Sequence, residues 1–265
     1  MRAALLQIAV RPEETPAERR ARAADLVREQ HTADLVILPE LWTVGAFDFD
    51  AFHDHGESLD GATARTMSEA AASARVWLHA GSIIERAPQG TLYNTSLVFG
   101  PDGTPRQRYR KIHRFGFDRG EAALLARGEE PVTVTLGDRG PTAGLATCYD
   151  LRFPEQFRML VDAGAEMFLI PAGWPTARRA HWSLLARARA VESQAYVLAC
   201  GTAGTHAGVE QAGHSLVVDP WGEVVAEAGA GEETLVVDLD PELVTKTRTD
   251  FPALRDRVLG APAPR

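Results

Sequence analysis

Three polar residues of complementary chemistry stand at the ends of predicted strands, and one of them is a cysteine. Glu40 ends the apolar stretch DLVILPE, Lys111 ends RQRYRK and Cys148 ends TAGLATC. Because ligand crevices in α/β folds lie beyond the ends of strands, the three side chains are candidates for one site. Each residue alone is unremarkable, since most acids and lysines are solvated and most free cysteines are inert buried thiols.

Together, these residue types form a complete set for acyl transfer from an amide. A cysteine thiolate can attack the amide carbon, and a carboxylate can take the thiol proton and deliver it to the leaving amine. A lysine places positive charge where the oxyanion forms. A free thiol has a pKa of about 8.5, so it needs such neighbours to ionise at neutral pH. The set therefore indicates a thiol-dependent hydrolase of C–N bonds.

The elements that must position these residues alternate between strand and helix along nearly the whole chain. Thr15, Pro16 and Glu18 form a capping box with proline at the first helical position, which predicts a helix to about Gln30. Further helices are predicted at 62–74, at 154–162, at 178–194 and from Pro241; the strands are predicted at 3–10, 34–40, 76–83, 93–100, 106–111, 132–136, 142–148, 166–171, 195–200 and 234–240, with a hairpin over 215–228.

This pattern predicts an α/β fold with a mixed sheet system and helices on the outside. The 265 residues show no linker and no repeat, so we expect residues 1–258 to form a single domain. Residues 259–265 are expected to form a flexible tail. The glycine-rich stretch 201–208 is interpreted as a loop at the rim of a pocket.

Composition excludes several functional classes. The net charge of -8 argues against nucleic acid and anionic membranes as partners. Cys148 and Cys200 form no CxxC pair and no zinc-ligand cluster, and the HDH triplet at 53–55 lacks a further ligand, so no metal is expected. No apolar run approaches transmembrane length, and residues 1–10 are interpreted as a first strand. We therefore expect a cytoplasmic protein in a reducing compartment.

Three stretches resemble the motifs of the nitrilase superfamily of carbon–nitrogen hydrolases. They are PELW at 39–42, YRKIH at 109–113 and CYDLRFPE at 148–155, in the family's order and at compatible separations. The likeness extends from the first strand to about Val258. The resemblance implies a four-layer αββα sandwich, a homodimer and a small-molecule amide substrate, with no metal or organic cofactor.

The resemblance also implies a role for each matched residue. Cys148 corresponds to the nucleophile, Glu40 to the general base and Lys111 to the lysine beside the oxyanion. Glu121 is the match for a second active-site glutamate that the family carries after the lysine motif. Tyr149, which follows the cysteine, can offer its backbone N–H to the oxyanion.

The surroundings of the cysteine, with the block 172–197, resemble those of omega-amidases, which hydrolyse the terminal amide of 2-oxoglutaramate and similar ω-amido acids. Such a substrate carries a carboxylate, and an acidic protein must hold it with local cations. Arg152 is the first candidate, with Arg178 and Arg179 beside it, because arginine suits bidentate carboxylate binding. Arg152 could instead brace the turn, and the other two could be a solvated helix start. Trp42 and Trp174 could form apolar walls of the pocket or pack in the core.

Several alternatives share these residues. The same site could serve a deaminated glutathione amidase, a nitrilase or an N-carbamoyl amino acid hydrolase. A catalytically silent binding protein of this fold is a different class, which the intact Glu, Lys and Cys set disfavours. A redox-active thiol protein would require Cys200 to reach Cys148; we interpret Cys200 as a core thiol.

Overall fold

The backbone consists mainly of two large sheets and the helices that cover them. The computed structural model describes residues 1–116 and 118–260. The strands are β1 (Arg2–Gln7), β2 (Leu35–Ile37), β3 (Trp77–Arg86), β4 (Leu92–Phe99), β5 (Pro105–Arg110), β6 (Val132–Thr135), β7 (Thr142–Leu145), β8 (Met167–Ala172), β9 (Tyr196–Gly201), β10 (Thr205–His206), β11 (Val209–Glu210), β12 (Leu216–Val218), β13 (Val224–Glu227) and β14 (Glu233–Asp238). The helices are α1 (Pro16–Glu29), α2 (Ala51–Asp54), α3 (Ala62–Ala74), α4 (Glu121–Leu124), α5 (Pro154–Asp162), α6 (Arg179–Ser193) and α7 (Glu242–Asp250), with 3₁₀ helices at Cys148–Arg152 and Thr176–Arg178.

Over the described residues the two sheets have six strands each and similar topologies. The strand orders are β14-β1-β2-β3-β4-β5 and β13-β12-β9-β8-β7-β6. In each sheet three central strands run parallel, β1, β2 and β3 in the first and β7, β8 and β9 in the second. The flanking strands pair antiparallel. The expected α/β fold with a mixed sheet system is therefore confirmed.

Alternating side chains on the strands build four layers. Leu5 of the first sheet and Leu169 of the second belong to one apolar cluster, so the sheets pack face to face. Leu6, next to Leu5, points the other way and packs with residues of α1 and α3. Phe168, next to Leu169, packs with residues of α5 and α6. The helix–sheet–sheet–helix order confirms the αββα sandwich.

The shared apolar layer bears on the domain organisation. Because the two sheets bury their facing sides against each other, we propose that residues 1–258 form one domain. Of the expected tail, residues 261–265 lie outside the described residues. No helix in the described part of the chain is long and apolar enough to cross a membrane.

Two local expectations differ from the structure. The predicted strand 34–40 pairs only as far as Ile37, because the chain turns away at Pro39, which has no N–H to donate. The glycine-rich stretch is not a plain loop, since β10 and β11 pair in a hairpin. Ala207 and Gly208 at its tip have φ of 47° and 72°, the backbone that a tight hairpin turn requires. An alanine at such a position gives little sequence signal.

Candidate active site

The segments that follow strands of both sheets converge on one pocket. The first sheet contributes the chain after β2 and β5, and the second contributes the chain after β7 and β8. The pocket therefore lies at the strand ends, where the sequence placed it. Its lining consists of Glu40, Ala46, Phe47, Lys111, Phe115, Glu121, Cys148, Tyr149, Arg152, Gly173, Trp174, Pro175 and Arg178.

Glu40 lies in a turn that strand β3 holds in place. A side chain at Gly81 would put its Cβ 1.9 Å from the Pro39 carbonyl oxygen, so only glycine permits this approach. The indole Nε1 of Trp42 donates a hydrogen bond of 2.9 Å to the Ala80 carbonyl. Trp42 is fully buried beneath the turn and is not part of the pocket lining. Of the two possibilities left open for Trp42, a pocket wall and core packing, the structure favours core packing, because the ring lies beneath the turn of Glu40.

Lys111 and Glu121 come from the two ends of one surface segment. Lys111 directly follows β5, where its N–H donates to the Asn94 carbonyl over 2.8 Å. Glu121 begins the short helix α4, and its Oε2 accepts a hydrogen bond of 3.0 Å from the Phe115 N–H. The segment between them thus folds back so that both side chains enter the pocket.

These residues and Glu40 form a buried ionic cluster. Lys111 Nζ lies 2.7 Å from Glu40 Oε1 and 2.6 Å from Glu121 Oε2. The three side chains are between 1% and 4% exposed. Burial opposes the charge of Lys111, but Glu121 and Glu40 outweigh it, so the pKa of the lysine is raised well above its usual value. Lys111 therefore remains a cation next to the reacting position.

Opposing interactions act on the pKa of Glu121, the second carboxylate of the cluster. Burial raises the pKa of Glu121, and the neighbouring charge of Glu40 acts in the same direction. The cation of Lys111 acts against both. Glu121 therefore binds a proton at a higher pH than an ordinary glutamate would.

Cys148 is presented on a sharp turn rather than at the last position of its strand. Strand β7 ends at Leu145, and Cys148 opens a 3₁₀ helix with φ of 47°, a left-handed backbone that is uncommon outside glycine. Its Sγ lies 3.5 Å from the carbonyl oxygen of Gly173, whose N–H donates to Glu40 Oε2. The predicted strand 142–148 is therefore too long by three residues.

The electrostatics of the cysteine favour the neutral thiol. Burial and the charge of Glu40 raise the pKa of Cys148 well above its usual value, and Lys111 offsets only part of this. A thiol in this environment needs a base that removes its proton as it attacks. Glu40 lines the same pocket and shares Gly173 as a neighbour with the sulfur, so it can act as that base.

Asp150 ties the turn of the cysteine to the segment of the lysine. Its carboxylate is fully buried and accepts hydrogen bonds of 2.8 Å from the Thr147 N–H and 2.6 Å from the Tyr109 hydroxyl. It also accepts a hydrogen bond of 2.9 Å from the His113 N–H. Asp150 therefore braces the turn and fixes the spacing between Cys148 and Lys111.

Arg152 and Trp174 form one side of the pocket. The guanidinium carbon of Arg152 lies 4.9 Å from the centre of the Trp174 ring, a cation–π arrangement. Its Nη2 lies 3.3 Å from Nδ1 of His181. Within the described part of the chain no carboxylate pairs with Arg152, so its charge is available to a ligand. Trp174 is almost fully buried and lines the pocket.

The two neighbouring arginines have different surroundings. Arg178 lines the pocket, with its guanidinium carbon 5.4 Å from the centre of the Phe115 ring. Arg179 is not part of the lining; it is about half exposed and lies 3.8 Å from Glu227. Of the two possibilities left open for Arg179, the pocket and a solvated helix start, the structure favours the second, because α6 begins at this residue and its side chain is about half exposed.

Sequence reasoning missed two groups that touch the acids. Asn94 on β4 donates through Nδ2 to Glu40 Oε1 over 2.8 Å and to Glu121 Oε1 over 2.6 Å. The Gly173 N–H donates to Glu40 Oε2 over 2.8 Å. An asparagine inside the strand sequence YNTSLVFG was a usable signal, since buried polar groups need partners. A backbone N–H leaves no sequence signal.

Cys200 has an environment unlike that of Cys148. It lies in the apolar layer between the sheets, with Sγ 3.4 Å from the Ile37 carbonyl and 3.6 Å from the Leu6 carbonyl. Burial raises its pKa far above the usual value. Both cysteines are free thiols. This arrangement favours the interpretation of Cys200 as a core thiol and removes support from a redox pair.

The described residues contain no group of three or more His, Cys, Asp or Glu side chains that could hold a metal ion. The HDH triplet is no exception, since His53 and Asp54 are both more than four-fifths exposed. The pocket therefore offers a carboxylate, a lysine and a thiol, and these suffice for acyl transfer by general-base and covalent catalysis.

Comparison with known proteins agrees with this chemistry. The carbon-nitrogen hydrolase family model matches residues 2–249. The chain is 42% identical to the 2-oxoglutaramate amidase of Paenarthrobacter nicotinovorans over 91% of this chain and 83% of that protein. It is 36% identical to the omega-amidase NIT2 of Mus musculus over 97% of this chain and 94% of the relative.

The fold has a similarly close counterpart among solved structures. The crystal structure of Saccharomyces cerevisiae Nit3, described as a member of branch 10 of the nitrilase superfamily, superposes with a TM-score of 0.87 at 33% identity. The superposition covers 95% of this chain and 94% of that one. The resemblance inferred from the three motifs is thereby confirmed.

Proposed function

The chain belongs to the carbon-nitrogen hydrolase family, and from that premise we propose that it releases ammonia from the terminal amide of a short ω-amido acid such as 2-oxoglutaramate. The observation that carries the proposal is a buried Glu, Lys and Cys cluster in a pocket that also presents Arg152 without a carboxylate partner among the described residues. The cluster supplies the groups for amide hydrolysis, and the charge of Arg152 suits an anionic substrate. The name of the Paenarthrobacter relative supports the same substrate.

The first half of the reaction forms a thioester. Glu40 takes the thiol proton of Cys148 as the sulfur attacks the amide carbon. The oxygen of the tetrahedral intermediate gains negative charge, which Lys111 Nζ and the Tyr149 N–H stabilise. The C–N bond then breaks, Glu40 returns the proton to the leaving nitrogen, and ammonia departs.

The second half returns the enzyme to its starting state. Glu40 takes a proton from a water molecule, and the resulting hydroxide attacks the thioester carbon. The C–S bond breaks, the acid product is released, and the proton on Glu40 returns to the sulfur. Glu121 supports both halves, because its Oε2 holds Lys111 Nζ over 2.6 Å.

Substrate binding uses the arginines at the pocket. We assign the substrate carboxylate to Arg152, with Arg178 as a second cation on the same pocket. A bound carboxylate would replace water around charges that lack a carboxylate partner in the described residues, which favours an anionic amide over a neutral one. Trp174 then packs against the aliphatic part of the substrate.

A substrate panel tests the proposed function. We expect kcat/KM for 2-oxoglutaramate to exceed that for deaminated glutathione, an aliphatic nitrile and an N-carbamoyl amino acid by at least about tenfold each, measured by ammonia release. A higher kcat/KM for one of the other three compounds would show that this compound represents the substrate class. No turnover of any of them by folded protein would favour the catalytically silent binding protein.

Replacing Arg152 by methionine should lower kcat/KM for an ω-amido acid by roughly ten- to a hundredfold. A hydrogen bond to a charged group contributes about 1.5–3 kcal/mol, and each 1.4 kcal/mol is about a factor of ten. The contact is remote from the reacting carbon, so most of the loss should appear in KM. The comparison is a neutral amide of the same length, which should be much less affected. Equal losses of kcat/KM on both amides would show that Arg152 supports the structure of the pocket and does not bind the substrate carboxylate.

We also propose that the enzyme is a homodimer acting in the cytoplasm on a small molecule, without nucleic acid or membrane as a partner. The nitrilase resemblance supports the dimer. Apolar side chains that are 49–66% exposed on the outer helix layer would be covered by a second copy; they are Met159, Leu184, Val191 and Phe251. Two free thiols suit a reducing compartment, and the net charge of -8 disfavours polyanionic partners.

A further inference from the structure

Asn94 occupies an unusual position between the two acids of the cluster. It lies on β4, is 2% exposed, and uses one nitrogen to bind both carboxylates, Glu40 over 2.8 Å and Glu121 over 2.6 Å. Lys111 bridges the same two carboxylates. The cation and the amide therefore close a ring in which two donors alternate with two acceptors.

The side-chain oxygen of Asn94, unlike its nitrogen, lacks a hydrogen-bond partner among the described residues. This atom, Oδ1, is buried. An unpaired buried carbonyl costs stability, so a residue selected only for stability would be apolar here. What the asparagine gains in exchange is a pair of N–H donors aimed at the two acids. This points to a task in the reaction rather than in folding.

The ring distributes the hydrogen bonds of Glu40 unequally. Its Oε1 accepts from both Lys111 and Asn94, which occupies the two lone-pair directions of that oxygen. Its Oε2 accepts one bond, from the Gly173 N–H. Oε2 therefore keeps one acceptor direction open, and it is the oxygen that can receive the thiol proton of Cys148.

We propose that Asn94 is a positioning residue that holds the carboxylates of Glu40 and Glu121 side by side and leaves Glu40 Oε2 as the proton acceptor for Cys148. The inference rests on the proposed function, because it assigns Asn94 a task in that reaction. A neutral donor suits this task, since it stabilises both anions without placing a second positive charge beside Lys111.

The sign of the pH effect follows from the groups that face the acids. These are Lys111 after β5, Cys148 on its 3₁₀ helix, and the two glutamates themselves. Without the amide, each carboxylate loses a donor that favours its ionised form while the repulsion between them remains. Glu121, whose pKa burial already raises, then binds a proton at still higher pH, which weakens its hold on Lys111 and moves the acid limb upward.

The test compares Asn94→Leu, which fills the same space without donors, with Asn94→Ala, which leaves room for water. The readouts are the pH dependence of kcat and of Cys148 alkylation by iodoacetamide. We expect the acid limb of both profiles to move to higher pH by about 1, with kcat below that limb reduced at least about tenfold and KM changed less than about threefold.

Thr95→Val is the matched control on the same strand. It removes a buried hydrogen bond of 2.6 Å to Glu85 on the opposite face of the sheet, so it should lower the melting temperature without moving the acid limb. If the folded Asn94 variants keep the wild-type limb, or lose activity equally at every pH, the proposal is wrong. Asn94→Ala introduces no larger side chain into the core, so this variant provides the test if Asn94→Leu does not fold.

The alkylation measurement separates this inference from the proposed function. Alkylation requires the sulfur and its base but no amide substrate. A wild-type enzyme that fails to hydrolyse any ω-amido acid while the Asn94 variants shift the alkylation profile would refute the substrate and support Asn94. Turnover of 2-oxoglutaramate by the wild type, together with unshifted alkylation profiles in the Asn94 variants, would support the substrate and refute the role of Asn94.

Discussion

Replacing Cys148 by alanine should abolish ammonia release, with a loss in kcat on the order of 10⁶-fold, as expected when a covalent nucleophile is removed. The variant keeps Glu40 and Lys111 but has no atom that can form the thioester. A water molecule would have to attack the amide directly, without the two easier steps that the thiol provides. Ammonia release measured with saturating substrate, beside the circular dichroism spectrum of the variant, checks the result.

The second cysteine is the natural control. Cys200→Ala removes a thiol that lies in the apolar layer between the sheets and donates to carbonyls of the first sheet. It should lower the melting temperature through the small cavity that it leaves, while kcat stays within about twofold of wild type. Normal turnover by Cys148→Ala, or loss of turnover by folded Cys200→Ala, would contradict the assignment of the nucleophile.

Replacing Glu40 by glutamine should lower kcat by at least roughly 10²–10⁴-fold, the contribution of a positioned general base. One residue serves both halves of the reaction, so the loss falls on thioester formation and on its hydrolysis. The amide also fits the site poorly. Glu40 accepts hydrogen bonds from Lys111, Asn94 and Gly173, and a glutamine would have to turn its own N–H₂ toward one of these donors.

A buried glutamate outside the pocket provides the comparison. Glu85 is also nearly fully buried on β3 and is paired with Arg110 and Thr95. Glu85→Gln should cost stability and leave kcat largely unchanged. If folded Glu40→Gln loses less than tenfold in kcat, another group performs the proton transfer, and Glu121 is the first one to examine.

Much of the reacting centre could be predicted from sequence because it follows strand ends. Glu40, Lys111 and Cys148 each come directly or within three residues after a paired strand, and the apolar stretches before them are readable. Three motifs in family order then identified the fold layers, which the structure and the solved relative confirm. The capping box also predicted the start of α1 correctly, since the helix begins at Pro16, directly after Thr15.

The remaining features depend on contacts between distant parts of the chain. The support of Glu40 by Gly81 and Trp42 requires β3 to lie next to the turn, which local patterns do not encode. The same holds for Gly173, whose N–H reaches Glu40 across 133 positions of sequence. The sequence left the roles of Arg178 and Arg179 open for the same reason, because the exact start of α6 decides which arginine lines the pocket.

The central claim is that Cys148 carries the acyl group during turnover of an ω-amido acid. Mass spectrometry of enzyme quenched in acid during steady-state turnover of 2-oxoglutaramate tests it most directly, with digestion to locate the modified peptide. We predict that part of the protein gains the mass of the substrate minus ammonia, on the peptide that contains Cys148, and that hydroxylamine removes the added mass. Full turnover with no such adduct in wild type, or an adduct on a peptide lacking Cys148, would contradict the account.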